Sequence, residues 1–239
     1  PAPISALMSG VLLSVAFTCL LRVKAVIDAA VGIGLMRNGM LTLALLTLAI
    51  CAGLMLEQHD YKRLLAYSSV EFMALAALGA SAATPLAVSA VLLLLIVHGL
   101  VKSVLFIASG HLQQAHHSTS IAAVTGLLHR NRELAVALVA GGCVLIGLPP
   151  FGLFPSEVGI ARAAAGAGLS WPLGVGFAFV LIAVTGVVRH GGTMLLGDTD
   201  LATPMILLGR LDRTVLVAGL AGCLLLGITT AGLGGVLSS

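Results

Sequence analysis

Charge is what this sequence has least of. Asp, Glu, Lys and Arg make up 9% of its 239 residues, against about 25% in ordinary soluble domains. That scarcity excludes a water-soluble fold. The formal net charge of +3 is too small and too scattered to form a nucleic-acid-binding face. Cysteine is sparse too: Cys19, Cys51, Cys143 and Cys223 each stand alone in an apolar run. No CxxC pair and no Cys/His spacing of a zinc or iron–sulfur site is present. The sequence therefore offers no redox centre or cofactor of its own, and the thiols read as small core hydrophobes. Phosphate-binding glycine loops, the dinucleotide fingerprint, the zinc-protease histidine pair and the nucleophile elbow are all missing. Nucleotide binding and hydrolysis have no residues to act through. Aromatics are only 4%, whereas glycine reaches 29 residues, a composition that suits closely packed transmembrane helices.

What is present is long apolar runs. Hydrophobic residues are 59% of the chain and mean hydropathy is +1.14. About 20 apolar residues cross ~30 Å of hydrocarbon, and seven stretches reach that scale: 4–21, 39–56, 64–82, 86–109, 134–154, 172–188 and 214–234. The expected fold is all-α, a polytopic membrane protein of about seven spans. The connections are a moderately polar 22–37, a polar knot at 57–63, a long polar 110–133 and a loop at 189–213 carrying Asp198, Asp200 and Asp212. Alternate connections fall on alternate sides. One side then holds Lys62, Arg63, Arg130, Arg132, Arg189, Arg210 and Arg213, and the other Arg22, Lys24, Arg37 and Arg162. The excess of Lys and Arg puts the first side in the cytoplasm of a cell inner membrane, with the visible N-terminus cytoplasmic and the C-terminus outside. The chain begins at Pro1 and enters an apolar run with no basic n-region or cleavage pattern, which reads as a segment of a longer protein.

Four features stand out against the apolar background, each with a plainer alternative. His98 and Lys102 sit four apart in the fourth span, hence on one helix face. An ionisable group at that depth costs about 2.5–3.5 kcal/mol or more. Lys102 lies ~12 Å of helix from the loop at Gly110, too far to snorkel comfortably; the alternative is a snorkelling lysine and a histidine bonded to a carbonyl. Glu71 is mid-span in the third run and needs a cation or a proton; Lys102 is the natural partner, and a static ion pair is the alternative. The third feature is GLPPFGLFPSE, residues 147–157. Pro149 and Pro150 remove two backbone donors, and Gly147 and Gly152 on their flanks allow unwinding. Irregular backbone survives at membrane depth only inside protein or along a wet cavity, and broken helices mark ion sites in transporters. Glu157 follows the break by about two turns; alternatively the prolines end the span and Glu157 is a loop residue. The fourth is the histidine-rich 110–133 connection with His111, His116, His117 and His129. It is explained by a polar surface, and a metal site is the less favoured reading. Asp60, Lys62 and Arg63 read as an interfacial anchor.

Taken in order, residues 1–7 (PAPISAL), 60–69 (DYKRLLAYSS), His98 with Lys102-Ser103, Leu105-Phe106, Ser109-Gly110 and the 148–157 motif resemble the antiporter-like, proton-conducting membrane subunits of respiratory complex I and the group 4 membrane-bound hydrogenases. Val70-Glu71 after the serine pair, and Pro-Pro-Phe-Gly followed by Ser-Glu, point to the hydrogenase branch of formate-hydrogenlyase type, similar to hydrogenase-4 component F. The resemblance covers the chain to about Ile160. It implies two inverted five-helix repeats, each with a broken helix and a membrane-embedded lysine or glutamate. Residues 1–21 would be the last helix of a mostly absent first repeat, about 35–188 the second repeat with its break near 147–157, and 214–234 a C-terminal helix. His98 and Lys102 match the second-repeat relay positions, and Glu157 matches the position after the break, lysine in the complex I relatives and glutamate in the hydrogenase branch. Ser9 stands where the complex I relatives often have histidine, and Phe72 and Ala74 stand where the hydrogenase branch has histidine and glycine.

The function expected from this resemblance is proton translocation in a redox-driven complex through Glu71, His98, Lys102, Glu157 and water. No flavin, quinone or cluster would sit in this chain. The expected partners are other membrane subunits, soluble iron–sulfur, hydrogenase or dehydrogenase subunits, and the lipid bilayer. A stand-alone cation/proton antiporter and a non-conducting structural spacer remain as alternatives.

Overall fold

The computed structural model describes residues 2–197 and 205–236, and the reading below refers to these. Asp198 and Asp200 lie outside them. Helices follow one another as α1 (Ala2–Leu7), a π-helical stretch (Met8–Leu12), α2 (Leu13–Val31), α3 (Ile33–Leu56), α4 (Tyr61–Ser81), α5 (Pro85–His116), α6 (Leu127–Arg130), α7 (Arg132–Leu145), α8 (Leu153–Gly166), α9 (Ser170–Leu196) and α10 (Arg210–Val236). Among the described residues there is no strand, only one antiparallel bridge between Asp60 and Ser120.

Six helices are long and apolar enough to cross a membrane: Pro3–Val31, α3, α4, α5, α9 and the Arg210–Thr230 part of α10. The seventh crossing is shared. α7 and α8 have 14 residues each, about 21 Å at 1.5 Å per residue, so neither spans alone. They meet end to end at the Pro149-Pro150 break, as the expectation of one interrupted span requires.

Two expected connections turn out to be helical. The 22–37 stretch continues α2 as far as Val31 and turns only at Gly32. Two of its charges neutralise each other: Lys24 bonds Asp28 one turn later, with side chains 7% and 16% exposed. An i,i+4 pair of opposite charges neutralises itself on a helix, and a per-residue hydropathy count does not register this. Residues 110–116 likewise belong to α5, which ends where His117 adopts a left-handed conformation. At 32 residues, or about 48 Å, α5 projects beyond the hydrocarbon.

α4 and α5 form the centre, surrounded by α3, α8, α1, α7 and α10. Leu75, Leu78, Leu94, Val97, Val101, Leu153 and Ile160 fill the space between them. The outer helices turn Val26, Leu43, Ile50 and Leu181 outward, as lipid-facing side chains do. Lipid tails are as apolar as these residues, so helix association relies on close fit. Gly10 and Gly99 show it: a Cβ at Gly99 would lie 2.7 Å from the Gly10 carbonyl oxygen, and one at Gly10 2.9 Å from that of Gly99.

The connections at 57–60 and 117–126 and the residues 205–209 come together at one end. The Tyr61 amide bonds Thr119 O (3.0 Å) and the Ile121 amide bonds His59 O (2.9 Å). His190 Nε2 lies 3.1 Å from Leu56 O. The Ile206 amide bonds Asn131 Oδ1 (2.7 Å), Arg213 pairs with Glu133 at 2.8 Å, and His111 lies 3.4 Å from Asp212. A second apolar cluster with Tyr61, Leu112, Val124 and Leu127 lies beneath them.

Candidate functional site

The polar groups of the interior lie where α4 crosses α5. Leu65, Ser68, Ser69 and Phe72 are spaced i, i+3, i+4 and i+7 and so share one face of α4. His98 and Lys102 share one face of α5. Both residues are fully buried. Lys102 Nζ donates to Leu65 O at 2.7 Å and to Ser68 Oγ. The His98 ring packs against Phe72 with centroids 5.3 Å apart, and its backbone polar neighbour is Ser9 on the π-helical stretch. Lys102 is therefore held by neutral oxygens of the neighbouring helix, not by snorkelling.

Glu71, 6% exposed, sits about a third of a turn off the Leu65–Ser69 face. The ion pairs among the described residues are Lys24–Asp28, His111–Asp212 and Arg213–Glu133, so Glu71 and Lys102 do not meet directly. Glu71 is nonetheless within electrostatic reach of both Lys102 and Glu157, whereas Lys102 is reached by Glu71 alone among the carboxylates. Glu71 is also within electrostatic reach of Cys51 on α3.

The break is built to receive Glu157. α7 ends in a Schellman turn: the Gly147 amide bonds Val144 O (3.0 Å) and the Leu148 amide bonds Cys143 O (3.1 Å). The turn requires a left-handed residue, and Gly147 supplies φ +69°. Gly147 also leaves room for the carboxylate, since a Cβ there would lie 2.5 Å from Glu157 Oε2 and 2.9 Å from Oε1. Glu157 accordingly folds back on the break and is not a free loop residue. Pro149 and Pro150, joined by a cis bond, carry the chain across. The Gly152 amide then bonds Cys223 O of α10 at 2.9 Å, so a neighbouring helix satisfies backbone freed by the break.

Asp60 caps α4, its Oδ1 accepting the amides of Lys62 (2.8 Å) and Arg63 (2.9 Å), and its Oδ2 accepts Thr119 Oγ1. Lys62 Nζ donates to Gln113 Oε1 at 2.5 Å, while Arg63 is exposed. Asp60 and Lys62 therefore clip the α4 start to the 110–120 segment. The histidines of that segment are dispersed, and among the described residues no group of three or more His, Cys, Asp or Glu is placed to hold a metal ion.

Two site residues were not legible as such: Ser68, which accepts from Lys102, and Ser69, whose hydroxyl oxygen is 2.6 Å from that of Ser9. Hydroxyls at i+3 and i+4 from a mid-span carbonyl were the available signal.

The family model described as NADH:quinone oxidoreductase/Mrp antiporter, TM matches residues 1–185. The hydrogenase-4 component F homolog of Methylacidiphilum infernorum is 39% identical over 158 residues, 66% of this chain and 33% of that protein. The F(420)H(2) dehydrogenase subunit M of Methanosarcina mazei is 35% identical over 106 residues, 44% of this chain and 21% of that one. A chain of the archaeal membrane-bound sulfane sulfur reductase, a respiratory membrane complex, superposes with TM-score 0.88 at 25% identity, covering 100% of this chain and 48% of that one. One from the Mrp complex of Dietzia sp. gives 0.82 at 20%, covering 97% and 50%; at that identity the likeness is one of fold. The chain spans a fifth to a third of these curated relatives' length and about half of the solved chains. Since the family model covers more than three quarters of the chain, with Glu71, His98, Lys102 and Glu157 all inside the match, the chain belongs to the NADH:quinone oxidoreductase/Mrp antiporter transmembrane family.

Proposed function

We propose that this chain is part of a proton-translocating membrane subunit of a redox-driven complex of hydrogenase or NADH dehydrogenase type. The observation that carries the reading is a fully buried lysine on neutral ligands, within reach of a carboxylate that also reaches a second carboxylate at a helix break. Lys102, Glu71 and Glu157 bring one ammonium and two carboxyl groups. Net charge in hydrocarbon is costly, so the favoured combination carries one proton on the carboxyl pair. That proton is the exchangeable one, and water in the break would connect Glu157 to solvent. His98 stands one turn from Lys102 as the next acceptor. Electron transfer in partner subunits, membrane and soluble, would drive the cycle by shifting the local field. α3, α4, α5, the α7–α8 pair and α9 would form the second five-helix repeat, and the helix through Ser9 would close the first. We assign the clustered connections, rich in Lys and Arg, to the cytoplasmic side of the inner membrane, where Asp60, Lys62 and Arg63 lie at the interface.

The test is Lys102→Ala in the full-length protein, assembled in its complex in inverted membrane vesicles. Proton uptake during electron transfer is expected to fall at least tenfold with assembly intact. Normal uptake in an assembled complex refutes the reading. Cation/proton exchange by the purified subunit alone would favour the stand-alone antiporter, and loss of assembly without any pumping in the wild type would favour the spacer.

A further inference from the structure

One backbone oxygen at the site is oversubscribed. Leu65 O accepts Lys102 Nζ (2.7 Å), Ser68 Oγ (3.0 Å) and Ser69 Oγ (3.1 Å), in addition to the helical amide four residues on. A carbonyl oxygen has two lone pairs, so these donors compete. The ammonium is the strongest of them, because a charged donor makes a hydrogen bond roughly twice as strong as a neutral one. Ser68 has an outlet, since it accepts from Lys102. Ser69 has a different one: its hydroxyl lies 2.6 Å from that of Ser9, on the π-helical stretch Met8–Leu12. Neighbouring Gly10 packs there against Gly99, next to His98.

Resting on the function proposed above, we infer that Ser69 is a positioning residue that couples the charge state of Lys102 to Ser9 of the N-terminal helix. With Lys102 charged, the ammonium takes Leu65 O and Ser69 turns its proton to Ser9. With Lys102 neutral, Ser69 donates to Leu65 O and accepts from Ser9. The direction of the Ser9–Ser69 hydrogen bond therefore reports the lysine's proton to a helix from another part of the fold. No proton crosses between the serines; only the hydroxyl rotors turn. Lys102 is faced by Glu71 from α4 and by His98 from its own helix, and Glu157 on α8 acts in turn on Glu71.

The coupling has a signature that a structural role lacks. Ser69→Ala removes a competitor for Leu65 O and so favours the charged lysine. Ser9→Ala leaves Ser69 with Leu65 O as its sole acceptor and so strengthens the competitor. In inverted vesicles carrying the full-length complex, the pH profiles of proton uptake are expected to shift in opposite directions, each by several tenths of a pH unit. Ser9→Ala/Ser69→Ala is expected to match Ser69→Ala, because the Ser9 hydroxyl acts through Ser69, while the backbone contact of Ser9 with His98 is kept in both variants. Ser69→Thr and Ser9→Thr are expected to restore the wild-type profile. Shifts in the same direction, no shift, or an additive double variant would overturn the inference. If Ser69→Ala does not assemble, a shift in Ser9→Ala that Ser9→Thr does not reverse overturns it equally. Failure here with pumping still abolished by Lys102→Ala leaves the proposed function standing, whereas pumping without Lys102 removes the function itself.

Discussion

Replacing Gly147 by alanine separates two properties that the break combines, its backbone conformation and its carboxylate contact. The backbone cost comes from φ +69°: a residue with a Cβ in the left-handed region loses about 1–2 kcal/mol. The contact cost comes from the new methyl group, which would stand 2.5 Å from Glu157 Oε2 and 2.9 Å from Cδ and Oε1. Those atoms are the far end of a flexible side chain, so the carboxylate moves aside and little further stability is lost. Stability should thus fall by about 1–2 kcal/mol, while proton uptake falls far more, because Glu157 no longer sits on the break. Gly142→Ala is the control. Gly142 lies within α7 with nothing near a new Cβ, and alanine in a helix interior gains about 0.5–1 kcal/mol over glycine. The measurements are thermal unfolding of the purified full-length protein in detergent and dye-reported proton uptake in vesicles. Wild-type uptake by Gly147→Ala at its lowered stability would refute the claim that the turn holds Glu157 for transport. Equal destabilisation by Gly142→Ala would refute the conformational argument.

Three other perturbations test separate parts of the fold. Gly99→Ala meets a backbone oxygen at 2.7 Å, not a movable side chain, so the N-terminal helix should be displaced; a cross-link between cysteines placed at Ser9 and Ser69 should form less readily than in the Gly99 background. Asp60→Ala removes both capping bonds and the Thr119 contact and should cost about 0.5–2 kcal/mol, with faster proteolysis in the 117–126 connection, whereas Asp60→Asn keeps acceptors for one amide pair and should lose less. Lys24→Ala strands Asp28 in a half-dry site where Asp28 Oδ1 already has no partner, so it should destabilise more than Lys24→Ala/Asp28→Ala, a non-additivity that a double-mutant cycle measures.

The sequence made the greasy spans plain because hydropathy is a sum over residues, and the break plain because two prolines cannot continue a helix. Lys102, His98 and Glu157 were visible as anomalies of composition. What did not show was pairing. The Lys24–Asp28 bond hides two charges that a hydropathy count treats as a loop, and α2 runs on through them. Glu71 looked like the partner of Lys102 because opposite charges on successive spans invite pairing. Its azimuth on α4, about a third of a turn off the Leu65–Ser69 face, instead keeps it out of direct contact with Lys102, a matter decided only when α4 and α5 pack together. Ser68 and Ser69 were silent for a related reason: a hydroxyl in a span costs little, bonds its own helix in most cases, and becomes informative only beside another helix's donor.

The neutral ligation of Lys102 bears directly on what the lysine can do. A buried ion pair resists loss of either charge, because removing one leaves the other uncompensated. Had Glu71 been the direct ligand, giving up the lysine's proton would strand a carboxylate in contact with it. Ser68 Oγ and Leu65 O carry no charge, and each keeps a partner when the ammonium becomes an amine: the serine can donate to the lysine nitrogen or to the carbonyl, and the carbonyl still accepts the serine hydroxyls and the helical amide. Glu71, one step removed, biases the lysine through the field without locking it. Both protonation states of Lys102 are therefore accommodated by the same backbone, and a group that must take up and release a proton in every cycle needs that equivalence more than it needs a strong partner.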